Sequence, residues 1–346
     1  LTRATKVDGV PSVPSRWLMR LGALLDGLGL RRLLDPPADQ PWLAWARRRQ
    51  QSPVPVVIAA PRPTPPVAAR PRQLSVTRIE TWLANPYAIF ARDILRLEPM
   101  PALGGDPDAS LRGRLIHEAM NRFHRIHGVE LPADAAAALA RFADAAFAEL
   151  AGHPRIAAFW QPRFRRFGEW FAATEPERRQ GLVQLFSEVR GSLPIAGSAG
   201  VFKLTARADR IDLLADGSAA LLDFKTGEPP SDKRVAAGLA PQLPLEALIL
   251  AGGGFEGMAA AATSRLRYVK VSGGEPPGED RLVKTEDPMA LARAAGAGLA
   301  RLIARFEQPE TPYSALRRPV FAASYRYDDY AHLARVKEWA TRADED

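Results

Sequence analysis

The apolar residues of this chain follow several rhythms in turn. From 13 to 50, Trp17, Leu18, Leu21, Leu24, Leu25 and Leu28 recur at helical spacing behind Pro14 and Ser15, and the stretch ends in the basic run Arg47, Arg48, Arg49. Seven prolines between Ser52 and Arg72 then exclude helix and remove backbone donors, which predicts an extended linker over 51–73. Ser75 opens a helix with Glu80 in its early turns, and Leu111 to Arg125 predicts another. The Ala/Arg/Glu-rich stretch that follows keeps a 3.6-residue spacing and predicts a helical insertion over about 129–195.

From Val201 the rhythm changes to strict alternation through Leu213, a turn signal follows at Asp216-Gly217, and Ala219 to Lys225 forms a second apolar run, so a β-hairpin is expected. A helix over 240–250, a strand over 265–271 and a helix over 289–306 follow, with a Tyr-rich segment closing the chain. Leu221 to Gly227 is an apolar strand ending in a carboxylate and an amine two residues apart, which places Asp223 and Lys225 on one face. A two-residue turn would set Asp209 opposite Phe224. A three-residue loop, Ala215 to Gly217 with Gly217 left-handed, would instead set Asp209 across from Asp223, with Cβ atoms about 5 Å apart and within reach of one cation.

Composition narrows the chemistry. The 346 residues include no cysteine, which removes disulfides, thiolate nucleophiles and cysteine-held metal, so a metal must sit on His, Asp or Glu. His117, Glu118 and Glu188 are candidate further ligands; His124 and His127 lie on or near the His117 face without an evident role, and His153 and His332 have no ligand-like neighbours. The charge balance of 47 basic against 39 acidic residues, net +8, favours polyanionic partners. The most apolar window, 245–262, is broken by Glu246, Glu256 and four glycines and is unfit to span a bilayer. The opening at Leu1 reads as mid-domain, as expected of a piece of a longer polypeptide.

In chain order, Gly113…His117, Ala206-Arg207-Ala208-Asp209-Arg210-Ile211-Asp212, Asp223-Phe224-Lys225-Thr226-Gly227 and the helix opening at Gln242 resemble the RecB-family nucleases of the PD-(D/E)xK superfamily. Glu246 stands where that family often has Tyr. The segments Leu1–Leu18 and Ile79–Ala91 resemble the flanks of the nuclease domain in AddB-type subunits of bacterial helicase-nucleases. The resemblance implies an α/β fold, a mixed central sheet flanked by helices, with residues 1–50 ending a helicase-like region and 74–346 forming the nuclease domain. Its core would be about 200–275 and its closing segment 310–346.

The same resemblance implies Mg²⁺, or Mn²⁺, held by His117, Asp209, Asp223 and the Phe224 carbonyl. Lys225 would position water, with Gln242 supporting the site. The activity would be exonucleolytic hydrolysis of DNA, on single strands from linear ends, beside an AddA-type partner in the cytoplasm at the nucleoid. A silent DNA-binding scaffold is the alternative. Many relatives carry an iron–sulfur cluster; with no cysteine this chain has no ligands for one, and Trp82, Tyr87 and Phe90 are expected to pack on Phe321, Tyr325, Tyr327 and Tyr330 in its stead.

Overall fold

The computed structural model describes residues 4–7, 9–34, 41–51, 58–100, 108–316, 318–321 and 328–340. The chain divides into two compact units, 1–58 and 59–346. The first holds a two-stranded ribbon, β1 (Lys6–Val7) and β2 (Val10–Pro11), then α1 (Arg16–Gly27), a 3₁₀ turn (Arg31–Leu34) and α2 (Trp42–Gln50). The helical stretch expected over 13–50 is therefore interrupted: the Ser15 side chain caps α1, and Gly29, with φ of +67°, turns the chain out of it.

The second unit is an α/β fold in three layers. Its elements run β3 (Gln73–Ser75), α3 (Val76–Ala84), α4 (Pro86–Ile89) with a π turn to Ile94, α5 (Ala109–His127), α6 (Ala135–Phe147), α7 (Pro154–Arg178), β4 (Leu182–Ile195), β5 (Phe202–Leu214), β6 (Ala219–Lys225), α8 (Asp232–Ala236), α9 (Gln242–Ala251), β7 (Thr263–Val271), β8 (Gly278–Leu282), α10 (Pro288–Phe306) and α11 (Val336–Trp339). The mixed sheet has six strands. On one face, α3, α9 and α10 bury Ile79, Trp82, Leu245, Ile249, Leu299 and Ile303 against Leu204, Ile211 and Leu221. On the other, α5, α6 and α7 bury Met120, Phe123, Leu139, Phe167 and Phe171 against Leu222, Phe224 and Val269. These are the helical stripes that 3.6-residue spacing creates.

The centre of the fold is β5. Along one edge it pairs antiparallel with β4 from Phe202 to Leu214. The other edge is shared: β3 runs parallel beside Lys203–Thr205, and β6 runs antiparallel beside Arg210–Leu213. Asp209 sits at the fork between them. The register Arg210↔Leu222 to Leu213↔Ala219, with Leu214 bonded to Ser218 and Gly217 at φ of +82°, is that of the three-residue loop. Continued one step, it brings Asp209 level with Asp223.

Three expectations are revised. The insertion is helical only as far as Arg178, because Leu182–Ile195 forms β4, the longest of the described strands, which pairs with β5 along its length. The second half of the Pro-rich stretch is folded onto the second unit, where the Pro61 and Pro63 carbonyls accept from Ala315 and Tyr313 and the buried Arg70 donates to the carbonyls of Pro65, Phe306, Gln308 and Pro309. A proline keeps its carbonyl as an acceptor even though it lacks a donor. Finally, the closing-segment residue that Trp82 meets is Tyr313, beside Phe202 and Phe306, while Phe321 lies under the Arg234 guanidinium.

Tyr87 and Phe90 do meet Tyr330 in a small core with Ala315 and Ala334. Asn85 Nδ2 donates to Asp328 at 3.1 Å and the Tyr87 amide to Ser314 at 3.2 Å, tying α3 and α4 to the end of the chain. Tyr325 and Tyr327 lie outside the described residues.

Candidate metal centre

Three neighbouring strands bring three carboxylates into one row. The uninterrupted register between Ser187↔Arg210 and Val189↔Ala208 sets Glu188 level with Asp209, and the β5–β6 register, whose last pair is Arg210↔Leu222, extrapolates to Asp223 beside Asp209. Glu188 has φ of +54°, a left-handed conformation costly for a non-glycine residue and the one strained residue of β4. Like charges directly opposite repel, so this row is unstable without a cation.

His117 supplies one. Its Nδ1 lies 3.2 Å from Asp209 Oδ1 and 3.7 Å from Glu188 Oε1, and these three groups lie close enough together to share a metal ion. Burial opposes charge on the imidazole, but the hydrogen bonds to Asp209 and Glu188 outweigh it and lift His117 to about 10. The other oxygen of Asp209, Oδ2, accepts from the Phe224 amide at 2.7 Å, which closes the ladder where β5 and β6 part and fixes the carboxylate's orientation. Glu188 Oε2 pairs with Arg207 Nε at 2.5 Å.

On the third strand Asp223 is buried, and Lys225 Nζ reaches its two oxygens at 3.0 and 2.9 Å. Gln242, at the start of α9, ties the pair together: its Oε1 accepts from Lys225 at 2.8 Å and its Nε2 donates to Asp223 Oδ1 at 2.6 Å. Burial, then the neighbouring Asp209, push Asp223 up to about 6 against the pull of Lys225. Burial would discharge Lys225, but Asp223 more than compensates and raises it. Glu246, one turn beyond Gln242, accepts from Nε2 at 3.2 Å and is fully buried; burial and then Asp223 raise its carboxyl well above the usual range.

The fold therefore gathers His117, Glu188, Asp209, Asp223, Phe224, Lys225 and Gln242. Glu118 is elsewhere, paired with Arg122 on the exposed side of α5. His124 is buried against Phe224 and Arg210, His127 packs on Phe123 and Phe142, and His153 precedes α7. An added Cβ at Gly113 would meet Thr226 Oγ1 at 3.8 Å, an ordinary contact, so glycine is not needed for the approach of α5. Sequence spacing missed the buried network behind the site. Arg210, fully buried, is bidentate to Asp212 and bonds Glu175, while Glu175 also takes Arg178 and Arg179. The i, i+3 and i+4 placement of Glu175, Arg178 and Arg179 was the available signal.

The profile of the PD-(D/E)XK nuclease superfamily matches residues 73–319. The chain belongs to that superfamily. Its members use divalent metal ions, and a set of carboxylates with one imidazole suits Mg²⁺ or Mn²⁺. Among curated proteins it is 30% identical over 189 residues to the uncharacterized protein RC0550 of Rickettsia conorii, covering 54% of this chain and 23% of that one. It is 27% identical over 259 residues to an uncharacterized protein of Rickettsia felis, covering 74% and 30%. The chain thus spans under a third of the length of these relatives. The crystal structure of SSO0001 overlays with a TM-score of 0.33 at 12% identity, over 76% of this chain and 85% of that one, too distant to bear on the argument. Among the described residues no helix is long and apolar enough to cross a membrane.

Proposed function

We propose that this nuclease domain is a Mg²⁺-dependent DNA exonuclease of an AddB-type subunit, acting in double-strand-break repair on the 5′-terminated strand beside an AddA-type motor. The observation that carries the hydrolytic reading is the fork at Asp209, where two further carboxylates, an imidazole and the Lys225–Gln242 pair converge. His117, Asp209, Asp223 and the Phe224 carbonyl would hold the cation, with Glu188 within reach. A divalent ion held there would supply Lewis acidity toward the scissile phosphate and positive charge to offset the transition state.

The chain's own groups do the rest. Lys225, its ammonium anchored by Asp223 and Gln242, is placed to orient a water toward the phosphate. Gln242 holds the carboxylate and the amine in one geometry, since its amide donates to the first and accepts from the second. The subunit assignment rests on the flanking segments Leu1–Leu18 and Ile79–Ala91. Incubating the protein, alone and with an AddA-type subunit and ATP, with linear duplex labelled at either the 5′ or the 3′ end tests it. Shortening of the 5′-terminated strand is expected; loss of the 3′-terminated strand only would overturn the polarity, and indifference to the motor would overturn the partnership.

A further inference from the structure

The face of the sheet that carries the metal centre is covered by α5–α7 on one side only. Along β4 and the first half of β5 it is open, and exposure alternates with burial: Arg190, Lys203 and Arg207 are exposed while Gly191, Leu204 and Ala206 are buried. Register pairs Arg190 with Arg207, Ser192 with Thr205 and Pro194 with Lys203, all on the face that ends in Glu188 and Asp209. At about 3.4 Å per residue, Lys203 to Asp209 is roughly 20 Å of strip. Residues 190–194 and 203–207 contain no acid.

Two arginines directly opposite each other on neighbouring strands repel. Glu188 answers Arg207 at 2.5 Å, while among the described residues Arg190 and Lys203 have no ion pair. The strip is thus a line of cations one or two side chains wide, bearing hydroxyls and no aromatic ring, and leading straight to the acidic row. Bases would need rings or paired donors and acceptors to be read, whereas phosphates need only charge. We infer that this strip, through Arg190, Arg207 and Lys203, seats the phosphate backbone of one nucleic-acid strand running into the metal centre, without regard to sequence. The inference rests on the nuclease reading and adds the path by which the substrate strand lies.

The test is fluorescence anisotropy of a fluorescein-labelled single-stranded oligothymidylate, titrated with the whole chain in EDTA over a range of salt. Its subjects are wild type, the double variant Arg190→Ala/Lys203→Ala and, as a control, Arg165→Ala midway along α7, where the guanidinium pairs with Asp144. Each lost phosphate contact on a single strand lowers the log–log salt slope by about 0.7, so the double variant should lose about 1.4 in slope and roughly tenfold in affinity at low salt. Arg165→Ala should bind as wild type, and oligodeoxyadenylate should show the same loss. Unchanged slope and affinity in the double variant, with circular dichroism showing it folded, would overturn the path. A loss confined to one base sequence, or to duplex DNA, would overturn its single-strand, phosphate-only character. Because no cleavage occurs in EDTA, these outcomes are independent of hydrolysis. Binding that follows the strip without metal-dependent cleavage would leave the path and sink the enzyme; cleavage with unaltered binding would do the reverse.

Discussion

Asp223 bears more of the proposed chemistry than any other side chain, because Lys225 and Gln242 are both positioned by it and it completes the row with Asp209. Asp223→Ala should lower nucleotide release to below a tenth of wild type while leaving DNA binding largely intact, measured on the same labelled substrate. Residual cleavage above that level would count against its role. At the back of the sheet, Glu175 makes a prediction of another kind. Burial would raise its carboxyl, but Arg210, Arg178, His124 and Arg179 outweigh that and hold it down to about 2. A carboxyl depressed in the folded state adds stability above its ordinary value near 4.5, and that stability is lost as pH falls from there toward 2. Glu175→Gln removes the carboxylate shared by three guanidiniums, of which Arg210 keeps Asp212 and Arg178 keeps Asp280, and should cost about 3 kcal/mol near neutrality, the low end for a broken buried pair, with a smaller further loss in acid than wild type shows. Urea midpoints across that pH range would check both parts.

Among the elements, the β5–β6 hairpin decides whether a site exists at all. Gly217, at φ of +82°, allows the three-residue loop that brings Asp209 level with Asp223. Gly217→Val should destabilise the protein by about 1–2 kcal/mol, the cost of a left-handed residue with a side chain, read as a lower denaturation midpoint. Much of this was legible in sequence: alternation marks β5, the apolar run marks β6, Asp216-Gly217 marks the turn, and the motif order marks the helix of His117 and that of Gln242. The register was not, since both loop lengths fit Asp216-Gly217 and only the tertiary fold selects one. Strand β4 was hidden because Leu182, Phe186, Val189 and Leu193 recur at the helical spacing i, i+4, i+7, i+11, and its pairing with β5 comes from contacts distant along the chain. The network of Arg210, Glu175 and Asp212 was hidden for the same reason: charges buried through pairing look like surface charges in a sequence.

A net charge of +8 surrounds, among the described residues, one cluster of His117, Glu188 and Asp209 able to share a metal ion. Cations draw in a polyanion and orient it; the acids, otherwise mutually repelling, are what a divalent ion would hold together. With no cysteine available, α3 and α4 are tied to the end of the chain by Tyr87, Phe90 and Tyr330 packing and by Asn85 bonding to Asp328. The measurement that tests the central claim most directly is nucleotide release from end-labelled linear DNA by the purified chain in Mg²⁺, in Mn²⁺ and in EDTA, beside Asp223→Ala. The account predicts release in either metal, none in EDTA and none from the variant. Release that persists in EDTA, or that Asp223→Ala retains, would contradict it.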